Sequence, residues 1–201
     1  MDGFAGRSVL IVAGGPSVTP SAIEVWRARC DRVVAINNAV ELLPGADLLW
    51  FTDRAWYEVH AETVAGFRGA VATLENYDLV ARIPGLHCLR NMGSDGFHPE
   101  PDGVMTGANG GYQALHLMLH ARPRRIVLLG YDFCYGAAGA HWHGSHPAPL
   151  TNPSPRDLVK WTLRFDALAE EATRRGIAVL NASPVSVLTC FERAFECARS
   201  A

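Results

Sequence analysis

Short, β-branched apolar runs recur along this chain, and each is cut off by glycine, asparagine or aspartate. Ser8–Ala13 (SVLIVA) runs into Gly14-Gly15-Pro16, Arg32–Ile36 (RVVAI) into Asn37-Asn38, and Asp47–Thr52 (DLLWFT) into Asp53. Ile126–Leu129 (IVLL) is the strongest of the set and stops at Gly130. A continuous apolar run of four to six residues fits a strand covered on both faces, which is the condition of a parallel sheet. Ala70–Leu74, His87–Leu89 and Ile177–Leu180 are further strand candidates.

Segments of helical spacing separate these runs. One starts at Thr19-Pro20 or at Ser21, with Glu24 three residues on. Arg54–Val64 is a second and Gly107–Ala121 a third, and Pro155–Arg175 is the longest, ending at Gly176. A final helical piece is expected after Ser183-Pro184. Strand, helix, strand in alternation requires right-handed crossovers. The expected fold is therefore α/β and Rossmann-like: a mostly parallel sheet flanked by helices, in a single domain over residues 1–201 with a long loop at about 131–154.

Bulk properties set the surroundings. With 201 residues the core needs no staple, and the five cysteines, Cys197 included, form no C-x-x-C pair. Disulfide frameworks and zinc ribbons are thereby disfavoured. The net charge is −2, Lys160 is the sole lysine and the arginines are scattered, so no nucleic-acid track is expected. No run approaches the ~20 apolar residues of a membrane span. The start lacks a signal-peptide pattern, and a cytoplasmic protein is expected. Oligomeric state is not encoded in any visible pattern.

In open parallel sheets ligands sit at the carboxyl ends of the strands, so the strand-end loops are where chemistry is sought. Gly14, Gly15, Pro16 and Ser17 follow the first strand and could let backbone approach a phosphate; a ligand-free tight turn is the alternative. Asn37 and Asn38 could bond a base or ribose, or simply end a strand. Thr106 and Gly107 open the helix before the central strand, Thr106 as an N-cap. Asp132, directly after Ile126–Leu129, is a candidate for a ribose hydroxyl, a metal or a reacting hydroxyl, or a turn cap. Asp53 reads equally well as a helix N-cap. Asn181 and Ser183 could complete a nucleotide pocket.

His141, His143 and His146 crowd into six residues of the long loop. His143 or His146 could act as general base, since imidazole titrates near neutral pH. A zinc site would want three or four fixed ligands, and neither a cysteine pair nor an HExxH helix accompanies them, so no metal ligands are assigned. His116 and His120, at helical spacing, read as an exposed helix edge.

GGPSV, MTGANGGYQAL, RIVLLGYDF and LNASPVSVLTCF occur in an order that resembles the bacterial sialyltransferases that use CMP-sialic acid. The same skeleton resembles the motility accessory factor group, the pterin pyrophosphokinase-like proteins and phage-borne relatives with a histidine-rich loop. The resemblance implies a nucleotide-binding, glycosyltransferase-like enzyme whose partner is a nucleotide or nucleotide-sugar, with CMP as donor moiety and no obligatory cofactor. It places Gly14 to Ser17 in the donor loop, Asn37 or Asn38 on the cytidine, Thr106 and Gly107 on the phosphate, Asp132 at the strand-end aspartate, and His143 or His146 as base. Where those enzymes begin the donor loop with asparagine, this chain has Gly14. The pyrophosphokinase-like alternative would use ATP and magnesium, with Asp53 and Asp132 as oxygen ligands. A non-catalytic nucleotide-binding accessory protein is the third reading.

Overall fold

In the computed structural model, residues 2–194 are described, so Cys197 lies outside them. The strands are β1 (Ser8–Val12), β2 (Arg32–Ile36), β3 (Leu48–Trp50), β4 (Ala70–Leu74), β5 (His87–Asn91), β6 (Gly103–Val104), β7 (Arg125–Leu129), β8 (Ala178–Asn181) and β9 (Glu192–Arg193). They form one sheet in the order β6-β5-β4-β3-β2-β1-β7-β8-β9. Every pairing is parallel. The fold is Rossmann-like α/β.

The apolar runs become strands because both of their faces are covered. Val9 and Ile11 point into one apolar cluster, and Leu10 and Val12 into another, as the two-residue period of a strand dictates. The first cluster packs beneath α5 (Gly110–His120) and α7 (Phe165–Arg174), and the second beneath α1 (Pro20–Arg27), α2 (Ala39–Leu42), α3 (Arg54–Val59) and α4 (Ala61–Gly66). Between β7 and α7 lie the long loop and α6 (Pro155–Thr162). None of the described helices is long and apolar enough to cross a membrane.

Four expectations change. Arg54–Val64 is two short helices, because at His60 the backbone leaves helical geometry (φ −112°, ψ 22°). Pro155–Arg175 is also two, α6 and α7, with a turn at Leu163-Arg164 that no glycine or proline announces. No helix follows Ser183-Pro184 among the described residues. Turns lead to β9 instead, and the remainder of that expected helix falls outside them. His116 is fully buried rather than on an exposed edge, because α5 is apolar nearly all round and is covered on every side.

The chain runs from β1 outward through β2 to β6, then returns to add β7 on the other flank of β1. The strand order therefore reverses between β1 and β7. The helices that follow these two strands pack on opposite faces of the sheet, α1 on one and α7 on the other, and a crevice is expected at the carboxyl ends where they part.

Candidate ligand cleft and histidine cluster

Two loops meet at this crevice. Gly15 sits so close to the β7 end that a methyl group there would collide with the Gly130 carbonyl and the Asp132 carboxylate. The Gly15 amide donates to the Gly130 carbonyl (2.9 Å), while the Ser17 amide (3.0 Å) and hydroxyl (2.7 and 2.8 Å) donate to the Asp132 carboxylate. Asp132 is fully buried, and burial is the main cause of its raised pKa, opposed by the Ser17 bonds. It is thus a strap between the β1 and β7 loops and does not line the cleft. The donors expected to face an anion from Gly15 and Ser17 are consumed inside the protein, and Pro16 has none to offer.

Asn181 and Ser183 are likewise turned inward. The Ser183 hydroxyl accepts the Tyr131 amide (2.9 Å), and the Asn181 side chain accepts the Ser183 amide (3.0 Å) and donates to the Ser186 hydroxyl (2.8 Å). Together they fix Tyr131 at the end of β7. Tyr131 does line the cleft, its ring buried and its hydroxyl donating to the Gly111 carbonyl (3.0 Å).

The start of α5 also differs from expectation. Asn109, not Thr106, is the N-cap; its side chain accepts the Tyr112 amide (3.1 Å). Gly107 and Ala108, both at positive φ, form the turn before it, and neither Thr106 nor Gly107 reaches the cleft. Asn109, Gly110 and Gly111 do. The amides of Gly110 and Gly111 occupy the first helical turn, where no intrahelical acceptor exists. They are free donors, whereas the amides of Gly15 and Ser17 in the loop after β1 are taken.

From β2 come Asn37 and Asn38. Asn37 holds a left-handed backbone (φ 50°), and its side-chain oxygen is buried with no hydrogen-bond partner among the described residues. Asn38 is engaged: its oxygen accepts from the Trp56 indole (2.8 Å), and its nitrogen donates to Glu41 (2.7 Å) and lies 3.4 Å from His60. The Trp56–His60 stack (4.4 Å) and the cleft-lining Phe133 and Trp161 gave no sequence signal.

The long loop folds over this crevice. The Trp142 amide donates to the Gly14 carbonyl (3.0 Å), and Asn152 clamps His146 by accepting from its amide (2.8 Å) and donating to its carbonyl (3.0 Å). His141, His143 and His146 are thereby brought face to face. Their ring centroids lie 4.6 to 5.1 Å apart, and a ligand nitrogen from each falls within 4.8 Å of the others. Among the described residues this is the only group with metal-ligand spacing; Asp53 and Asp132 do not join one. Asp53 caps α3, its carboxylate accepting the Ala55 amide (2.8 Å). Burial lowers the pKa of His141 and His143 to about 4, with help from the neighbouring imidazoles, and a Gly14 backbone hydrogen bond partly offsets the effect at His141. His146 is lowered too, first by burial and then by His60. Burial thus favours the neutral form of all three rings.

No family model and no curated protein matches this sequence. Among solved structures, BdcA in complex with NADPH is 16% identical, with a TM-score of 0.31 over 89% of this chain and 70% of that one. A short-chain dehydrogenase/reductase from Serratia marcescens is 14% identical, with a TM-score of 0.29 over 89% and 73%. Scores of this size support no inference about ligand or reaction, and the fold rests on the chain's own sheet.

The crevice has two compartments. The inner one, between Gly14, Gly110 and the imidazoles, has a volume of about 110 Å³. The outer one, about 270 Å³, is lined by Asp53, Trp56, Asn152 and Asp157. His141 and His146 border both.

Proposed function

We propose that the inner compartment binds a phosphate-bearing, nucleotide-type ligand and that the protein is a glycosyltransferase-like enzyme. The phosphate is held at the free amides of Gly110 and Gly111, where the start of an 11-residue helix also carries partial positive charge. Asn37, with its orphaned buried oxygen, supplies a polar contact to the base or ribose. The sequence resemblance supports a CMP-linked sugar as donor.

One observation carries this reading: the start of a helix and a cluster of imidazoles line one crevice where the strand order reverses, with a second compartment adjoining it that Gly110, His141 and His146 also border. Transfer needs those parts. A hydroxyl acceptor entering from the outer compartment gives its proton to the imidazole of His146, which borders both compartments, while its oxygen bonds to the anomeric carbon. The bond from that carbon to the donor phosphate breaks, and its electron pair leaves on the phosphate beside Gly110 and Gly111. Asp132 takes no part, since Ser17 occupies it.

A thermal-shift panel of CMP, CDP, UDP, GDP and ATP, each with and without magnesium, tests the proposal. CMP should raise the midpoint independently of magnesium, by the mass-action stabilisation a ligand of the native state confers. If no nucleotide shifts the midpoint, nucleotide binding is wrong. If only ATP with magnesium does so, the transfer chemistry is wrong.

A further inference from the structure

We propose that His141, His143 and His146 form a binding site for one divalent transition-metal ion, zinc by its ligand set, with the fourth position open toward the cleft. Three imidazoles, with no thiolate and no coordinating carboxylate, suit zinc and its neighbours and are a poor set for magnesium or calcium, which take oxygen ligands. A three-histidine set that leaves one place for water is a zinc arrangement of the catalytic kind.

The geometry is close to what such an ion needs. Zinc–nitrogen bonds of about 2.0–2.1 Å in a tetrahedron put the ligand nitrogens about 3.4 Å apart. Here they lie within 4.8 Å before any ion draws them together. No side chain of the described residues hydrogen-bonds to any of the three rings, so their lone pairs are not already engaged by one. The supports behind them are in place: the Trp142 amide on the Gly14 carbonyl holds the loop beside His141, and the two Asn152 bonds hold the backbone of His146. The Gly14 backbone hydrogen bond at the His141 ring is an outer contact of the kind that orients metal-bound histidines. The site stands on this geometry alone. Its role in transfer rests on the function proposed above, where a metal-bound hydroxide, formed once the bound water has given a proton to solvent, would receive the acceptor's proton in place of a bare imidazole and become water again.

The test uses the full chain, prepared without a histidine tag and stripped with EDTA. Zinc is titrated in competition with a chromophoric chelator, and cobalt(II) serves as a visible-absorption probe. One equivalent should bind, with cobalt bands of a four-coordinate ion. His143→Ala and His146→Ala should each weaken zinc by more than about a hundredfold, since loss of an outer contact alone costs 10–100-fold. His120→Ala, in the core, should leave it unchanged. Equal zinc affinity in the native protein and in His143→Ala overturns the site. X-ray absorption on the zinc-loaded native chain needs no variant: three imidazoles support the site, and fewer overturn it. Nucleotide shifts are measured on the stripped protein, so a failed metal site and a failed nucleotide cleft give different results.

Discussion

Two groups of histidines occupy this protein, and the pairs His116–His120 and His141–His143 approach about equally closely while their nitrogens meet different surroundings. His116 and His120 have centroids 5.2 Å apart beneath Phe97, which stacks on His116 at 4.4 Å and carries Arg175 over its ring. His98 joins them by donating its backbone amide to the His116 Nε2 (2.9 Å). The rings of the cleft triplet are as near one another. In the core group one lone pair is already spent on a backbone amide, and the nitrogens do not gather at metal-ligand spacing. In the cleft triplet the nitrogens converge beside a crevice. Convergence of free lone pairs, not the count of histidines, separates a candidate site from a packed core.

The sharpest way to break this comparison is to remove one ring from each group. His116→Ala leaves a core cavity and an unpaired His98 amide, and should cost about 2–4 kcal/mol in urea unfolding. His143→Ala in the stripped protein should fall within about 0.5 kcal/mol of the native chain, as substitutions outside the packed core do. If the two cost the same, the groups do not differ in kind.

A smaller effect follows from pH. Burial, aided by His120 and His98, lowers the His116 pKa to about 3, against 6.5 in the unfolded chain. As pH falls below 6.5 the unfolded chain takes up a proton that the native state refuses, so stability is full above that value and is lost progressively toward pH 3. His116→Gln should flatten this slope by up to about 1.4 kcal/mol per pH unit, read from urea midpoints between pH 4 and 6.5. Identical slopes would mean that His116 is solvated in the native state.

The smallest effect concerns the cleft. A Cβ on Gly14 would lie 3.0 Å from His141 Nδ1. Gly14→Ala should therefore change stability by less than about 1 kcal/mol yet weaken zinc about tenfold, by turning one ring. Unchanged zinc affinity would show that His141 is not held where Gly14 meets it.

The strands were legible because each is a local apolar run: β2 and β4 begin and end where the residues change character. The start of α5 was not, since Thr106 and Asn109 are both capable caps and only the left-handed turn between them decides. Asp132 looks like a site residue in sequence because its partner, Ser17, lies 115 positions away. The histidine run was visible as composition. Its convergence was hidden, because it depends on Asn152 and on a backbone bond to Gly14, neither of which any local pattern announces.

That last bond, from the Trp142 amide to the Gly14 carbonyl, ties the long loop to a residue that lines the inner compartment. For the transfer proposed above, a loop tied down there would admit the donor before the acceptor and release the spent nucleotide last. Under that proposal steady-state kinetics would be of compulsory order, with nucleotide product competing against donor but not against acceptor.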